Sequence, residues 1–324
     1  MLVIGEVQTC LLRNGAAVTR TEAAELLRLA PGERVRTSER PVAHAVSPEL
    51  FNGVDCHIPS GRRIRVRGIG TVSARAVITG GRVLQGSVCT RLDQSSFDRR
   101  LPWSHYLARP GVIETIGRFD QADVLDGFFA GKGADPTLDL GALSDQVIAT
   151  VQKHPSLDQA IPLKSRRTRL RWVMRTGDCS FPAEFILADD TLRTLCLTLD
   201  GSLEREAIEF CEYLALHDWV LGTVSLLVER SGIGSGNIRR TLAGLRPAIE
   251  HLMHLWMPGV LVAEPLRPLW ESLERRAGFK TQWEATSSRI RDQIALHNLE
   301  LLSRLSPAVP ELVEIGGGSV GRPR

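Results

Sequence analysis

The period at which apolar residues recur changes along the chain, and each change marks a change of element. LVIGEVQTCLL opens as a strand. TEAAELLRL follows as a short helix, with Thr21 as its N-cap and Pro31-Gly32 beyond its end. A loop rich in Pro and His is expected from Glu39 to Ser60. Residues 62–92 hold three β-rich runs, RRIRVR, VSARAVI and RVLQGSVCTRL, parted by Gly68-Ile69-Gly70 and Thr79-Gly80-Gly81, spacers short enough to read as hairpins. PWSHYLARPGVIETIGR is expected to be irregular, because Pro102 and Pro110 interrupt any regular element.

Helical spacing appears over Asp120 to Phe129 and Leu140 to His154, with the turn GKGADP between them. After Pro162 the period returns to two in KSRRTRLRWVMR, FPAEFILA and TLRTLCLTL. Thr176-Gly177-Asp178 and Asp189-Asp190 separate these runs, which predicts a three-stranded antiparallel meander. From Ser202 to Leu305 nearly everything reads as helix. Ile238, Leu242, Leu245, Ile249, Leu252 and Trp256 place one apolar stripe along a helix, and Pro247 within it predicts a kink. Trp270, Trp283, Ile290, Ile294, Leu301 and Leu305 supply further apolar faces. The expected class is α+β: a β-rich N-terminal region over 1–200, with antiparallel hairpins and the meander, then a helical bundle over 201–305. The Pro/Gly-rich segment 306–324 reads as a disordered tail.

Charge sharpens this picture. The 324 residues carry 40 basic and 37 acidic side chains, a net charge of +3, which argues against a dedicated nucleic-acid or membrane-surface protein. The distribution is uneven. Residues 60–100 carry nine Arg against Asp93 and Asp98, a local +7, and residues 159–175 carry five Arg and one Lys with no acid, a local +6, so the remainder sums to −10. Strand alternation puts Arg167, Arg169, Arg171 and Arg175 on one face, with Leu170, Trp172 and Met174 on the other. Arg63, Arg65 and Arg67 repeat the arrangement around Ile64 and Val66. Like charges stacked along a strand repel unless something anionic answers them: the chain's own carboxylates, another protein or a phosphate backbone. Nucleic acid is the less favoured partner, since aromatic residues are 5% of the chain and none interleaves with the arginines.

Catalytic and cofactor motifs are weak. DGFFAGKGAD resembles a phosphate loop, but three rather than four residues separate Gly127 from Gly131, and Gly133 stands where a hydroxyl residue would reach magnesium. Gly68 and Gly70 lead into a strand, not a helix, so a dinucleotide fingerprint fails there. The G-x-S-x-G match at Gly317, Ser319 and Gly321 lies in the tail, where no nucleophile elbow forms. His251 and His254 share a helix face, yet no third ligand stands at diagnostic spacing, so they read as polar flanks of a helix seam. His217, inside an apolar helix, reads as a hydrogen-bonded core residue. No cofactor, metal or general acid/base pair is nominated. Six cysteines, at 10, 56, 89, 179, 196 and 211, show no two-residue spacing and read as scattered thiols. Leu214 to Val228 is the most apolar stretch. It is 15 residues long and holds His217 and Asp218, so a buried helix is expected rather than a membrane span. The N-terminus has no basic region before its apolar run, so the cytoplasm is the expected compartment.

The strings MLVIGEVQTCLLRN, ERPVAHAVSP, RLPWSHYLARPGV, LRPAIEHLMHLWMPG, LWESLERR and QWEATSSRIRDQIAL resemble an actinobacterial family of unknown function. Its genes sit in a small cassette with a variant P-loop ATPase of the MinD/ParA type. The likeness extends to about Leu305 and carries no catalytic residue. It implies a cytoplasmic bacterial protein working with partners, that ATPase among them.

From the residues, the leading expectation is a non-enzymatic adaptor whose Arg-rich sheet face, Arg63, Arg65, Arg67, Arg167, Arg169 and Arg171, meets an acidic protein partner. A nucleic-acid-binding protein, and an enzyme using His217, His251 or His254 in an unrecognised site, are the alternatives.

Overall fold

The computed structural model describes residues 1–61, 66–117, 120–131, 136–177, 183–233, 237–276 and 278–305. A mixed ten-stranded sheet forms its centre. Its strands are β1 (Leu2–Leu11), β2 (Arg36–Ser38), β3 (His44–Val46), β4 (Leu50–Ile58), β5 (Val66–Thr79), β6 (Val83–Gln94), β7 (Val112–Ile116), β8 (Thr168–Arg175), β9 (Ala183–Leu187) and β10 (Leu192–Thr198). They run in the order β2-β3-β5-β7-β6-β1-β8-β10-β9, with β4 also paired to β5.

β1 lies mid-sheet, antiparallel to β6 on one side and β8 on the other. All ten of its residues are buried, because helices cover both faces. On one face Leu2, Ile4 and Val173 pack with α1 (Arg20–Leu26), α3 (Gln121–Ala130) and α4 (Leu140–Gln152). On the other Val3, Trp172 and Met174 pack with α5 (Glu204–Arg230), which carries α6 (Ile238–His251), α7 (Arg267–Arg276) and α8 (Phe279–Leu305). The change from strand to helix falls near residue 200, while the hydrophobic core runs across it.

The α+β class and the N-to-C division into sheet and helices are as expected, but the last three strands are not a simple meander. β10 lies between β8 and β9, parallel to β8 and antiparallel to β9. Burial explains the choice. Leu195 and Leu197 of β10 are fully buried beside Trp172, whereas β9 offers Glu184, Ile186 and Leu187 to solvent and takes the edge.

Several local expectations also shift. The first helix is capped by Thr19, not Thr21: Thr19 and Glu22 form a capping box, with the Thr19 N–H donating to Glu22 Oε2 at 2.7 Å. The expected loop from Glu39 to Ser60 holds β3 and β4, and the segment expected to be irregular contains α2 (Trp103–Leu107) and β7. Gly68-Ile69-Gly70 is no hairpin but the interior of β5. Here β5 and β6 splay and β7 inserts between them, so closely that a Cβ on Gly70 would stand 2.1 Å from the Val112 carbonyl oxygen. Helix α6 runs through Pro247 and buries Thr241, Leu245 and Ala248, leaving Ile249 of the expected stripe exposed.

Helix α5 and the turn before it are long and apolar enough to cross a membrane, but the apolar window is 83% buried inside the protein. Helix α8 is anchored by Phe279, by Trp283 stacked on Trp256 at 4.5 Å, and by Ile290. Beyond Ile290 it is largely exposed, including Ile294, Leu296, Leu299, Leu301 and Leu302.

Candidate functional site

On β8 the arginines alternate as the strand requires, yet with Arg67 they do not make one cationic surface. Arg171 and the β8 residues in step with it share the face of Leu2, Ile4 and α4. On β5 that face is held by Val66, Val72 and Ala74, so Arg67 points to the opposite side, with Arg75. Arg67 and Arg171 are also four strand spacings apart, about 19 Å.

The described arginines of the expected face are mostly answered within the chain. Arg67 makes a two-pronged contact with Asp55 of β4, Nε to Oδ1 at 2.7 Å and Nη2 to Oδ2 at 2.8 Å, which holds the Asp55 carboxyl below its ordinary range. Arg167 precedes β8 and pairs with Asp145 of α4. Arg171 donates from Nε to Glu6 Oε2 at 2.9 Å, with side chains 14% and 1% exposed. Burial pushes the Glu6 carboxyl upward and the Arg171 charge opposes it. Arg169 is half-buried between them. Arg63 and Arg65 lie outside the described residues. Arg67, Arg167 and Arg171 are therefore answered by acids that folding brings in from β4, α4 and β1, and at these three positions the expected free cationic face is corrected to arginines paired within the chain.

Among the described residues no group of three or more His, Cys, Asp and Glu could hold a metal ion, so His251 and His254 gain no third ligand. His217 is 1% exposed. Its Nδ1 lies 2.9 Å from the Tyr213 carbonyl oxygen, which assigns the proton to Nδ1, and the ring packs against Tyr213, Trp256 and Trp270. Burial lowers its pKa to about 4.

The geometry that does invite a ligand lies at the open edge of the sheet. Two adjoining cavities, of about 840 and 590 Å³, share Leu187, Arg193, Asp218, Gly222 and Ser225 and form a groove between the β9–β10 hairpin and α5. Spacing on α5 makes this wall: Asp218, Gly222 and Ser225 fall at i, i+4 and i+7 on one helix face. Arg193 donates from Nε to Asp218 Oδ1 at 3.1 Å and ties hairpin to helix. The Asp218 carboxyl is pushed up by burial, against the pull of Arg193. Phe185 meets Phe279 edge-on at 5.6 Å, and with Leu221 and Leu273 they give the larger cavity an apolar lining. Arg175 also borders the larger cavity, but in step with Leu2 and Thr198 it lies on the sheet face away from α5, where its Nε donates to the Thr198 hydroxyl at 3.2 Å.

Gly222 is the least expected residue here. It sits in the middle of a 27-residue helix, where Gly costs about 1 kcal/mol relative to Ala, and a Cβ built on it meets no atom within 4 Å. No atom within 4 Å of that position accounts for the missing side chain, which leaves this part of the groove wall without a methyl group. The sequence pattern carried that one signal, a lone Gly within an apolar helical run, but not the hairpin that makes the other wall.

Comparisons with family models, curated proteins and solved structures found no match.

Proposed function

We propose that this chain is an interaction protein that holds an extended segment of a partner protein in the groove between α5 and the β9–β10 hairpin. The observation that carries the reading is the open groove beside an edge strand, with Gly222 on its helical wall. An edge strand offers unpaired backbone N–H and C=O groups, which recognise another chain in extended form, and adjoining apolar pockets sort its alternate side chains. β9 is such an edge, with Ile186 49% and Leu187 63% exposed. The lining by Phe185, Leu221, Leu273 and Phe279 favours apolar side chains on that segment, and the docking site moves from the arginine face to the groove. The ATPase implied by the family resemblance is the first natural partner to assay.

The test is panning of phage-displayed random peptides on the intact chain, followed by titration against a Gly222→Leu/Ser225→Leu variant. Both positions line the two cavities, so the variant fills the groove. Peptides with apolar residues at alternate positions, binding the filled variant at least about tenfold more weakly, are expected. Failure of any peptide to enrich, or equal binding to both proteins, would overturn the reading. Oligonucleotide titration at two salt concentrations tests the competing nucleic-acid function, which requires binding at low salt that weakens steeply as salt rises.

A further inference from the structure

Helix α8 outruns the body of the protein. Ile290, 1% exposed, is its last fully buried residue, and the 15 residues after it extend about 22 Å further. Five of the protein's exposed large apolar side chains fall within nine of those residues: Ile294 (37%), Leu296 (50%), Leu299 (63%), Leu301 (41%) and Leu302 (62%). Gln293 and His297 on the other side of the arm are only partly exposed, and the His297 Nδ1 is buried, so the arm leaves one side open.

The arrangement of these residues selects the partner. At about 100° per residue, Ile294, Ala295, Asn298, Leu299, Leu301 and Leu302 fall within one arc of about 160°, leaving Gln293, Leu296, His297 and Glu300 outside it. Between Gln293 and Leu302, Asn298, near the centre of that arc, is its one polar side chain; Arg291 continues the arc at the start of the arm. A buried amide disfavours a purely apolar groove, because its donors and acceptor would be desolvated without partners. Another amide satisfies it, carrying both donor and acceptor, and single Asn residues in helix seams fix register for this reason. We infer that the partner of this arm is a second copy of the same chain, paired antiparallel about a two-fold axis at Asn298. That register sets Asn298 against Asn298, Ile294 against Leu302 and Ala295 against Leu301.

Area sets the strength. Two arms of 15 residues bury about 450 Å² per chain, roughly half the ~800 Å² per partner of a standard stable interface, so association is micromolar rather than nanomolar and depends on concentration. The arm lies beyond the part of α8 that borders the groove, so the outcome here is independent of the function proposed above.

Sedimentation velocity of the full chain from 1 to 200 µM tests this. The mass is expected to rise from 35.7 kDa toward twice that value, and a Leu299→Glu/Leu302→Glu variant is expected to stay monomeric with an unchanged melting temperature, since neither residue enters the core. Under mild oxidation Asn298→Cys should form a disulfide-linked dimer, and Leu296→Cys, outside the arc, should not do so above the wild-type background. A wild type that is monomeric throughout, a dimer that survives the double substitution, or a Leu296→Cys chain that cross-links as readily as Asn298→Cys would each overturn the inference.

Discussion

Replacing His217 by Phe isolates the largest pH-sensitive contribution that a single described histidine makes to this fold. The ring is enclosed by Tyr213 at 4.2 Å, Trp256 at 5.2 Å and Trp270 at 5.4 Å between centroids, and its Nε2 has no hydrogen-bond partner. Burial holds its pKa at about 4, below the ~6.5 of an unfolded histidine. As pH falls, the unfolded chain therefore takes up the proton first. The stabilisation is complete above about pH 6.5 and declines toward pH 4 at about 1.4 kcal/mol per unit, a total near 3 kcal/mol. The Phe ring keeps the aromatic packing and cannot titrate. At pH 7.5 the variant should lie within about 1 kcal/mol of wild type, because it also removes an unsatisfied buried nitrogen. Urea unfolding followed by tryptophan fluorescence at pH 7.5 and 4.5 reads both proteins. Other groups shift as well: burial lowers the His44 pKa and raises those of Glu6, Asp218 and Glu204. Their contributions cancel in the difference between the two proteins. Wild type should lose about 2–3 kcal/mol more than His217→Phe between the two pH values. Equal losses would show that His217 is solvated or charged, and would refute its assignment as a neutral core residue.

Further expectations follow from packing. Arg75→Ala leaves the Glu212 carboxylate, 6% exposed and held bidentate at 2.7 and 2.8 Å, without its cation, and should cost about 3–5 kcal/mol in urea unfolding. Gly70→Ala should destabilise by at least about 2 kcal/mol, because the new methyl meets the Val112 carbonyl and dislodges β7; a melting temperature within a degree of wild type would contradict the insertion of β7. Gly222→Ala should raise stability by up to about 1 kcal/mol, since its methyl group enters open space. Thermal unfolding that moves the other way would mean that the groove wall is more crowded than the coordinates show.

What the sequence made legible depended on how local the cause was. The two helices around residues 125 and 145 could be placed because Asp120 and Asp139 cap them and their apolar residues repeat at helical spacing. The choice between Thr19 and Thr21 as cap was equally local, and Glu22 three residues after Thr19 was the deciding signal. Other features depend on distant residues. Gly68 and Gly70 look like a turn until Ile58, Ile113 and Val112 are seen to close on them. Pro102 and Pro110 suggested an irregular segment, yet they flank Val112–Ile116 without entering it. On β8 the arginines do form a stripe, but as a free surface it misled, since Glu6, Asp55 and Asp145 answer Arg171, Arg67 and Arg167 from other elements. The groove was hidden because its walls come from around 190, 220 and 280 and meet only when β10 takes the inner place beside β8.

The central position of β1 has a consequence for biosynthesis. Its ten residues are translated well before their partners at positions 83–92 and 168–175. One flank can be satisfied once the β6 segment has emerged; the other stays open while about another eighty residues are translated. A nascent chain of this protein thus carries an unpaired strand edge, mostly apolar but for Glu6, Gln8 and Thr9, for much of its elongation, and it is this edge that a holding chaperone would have to shield.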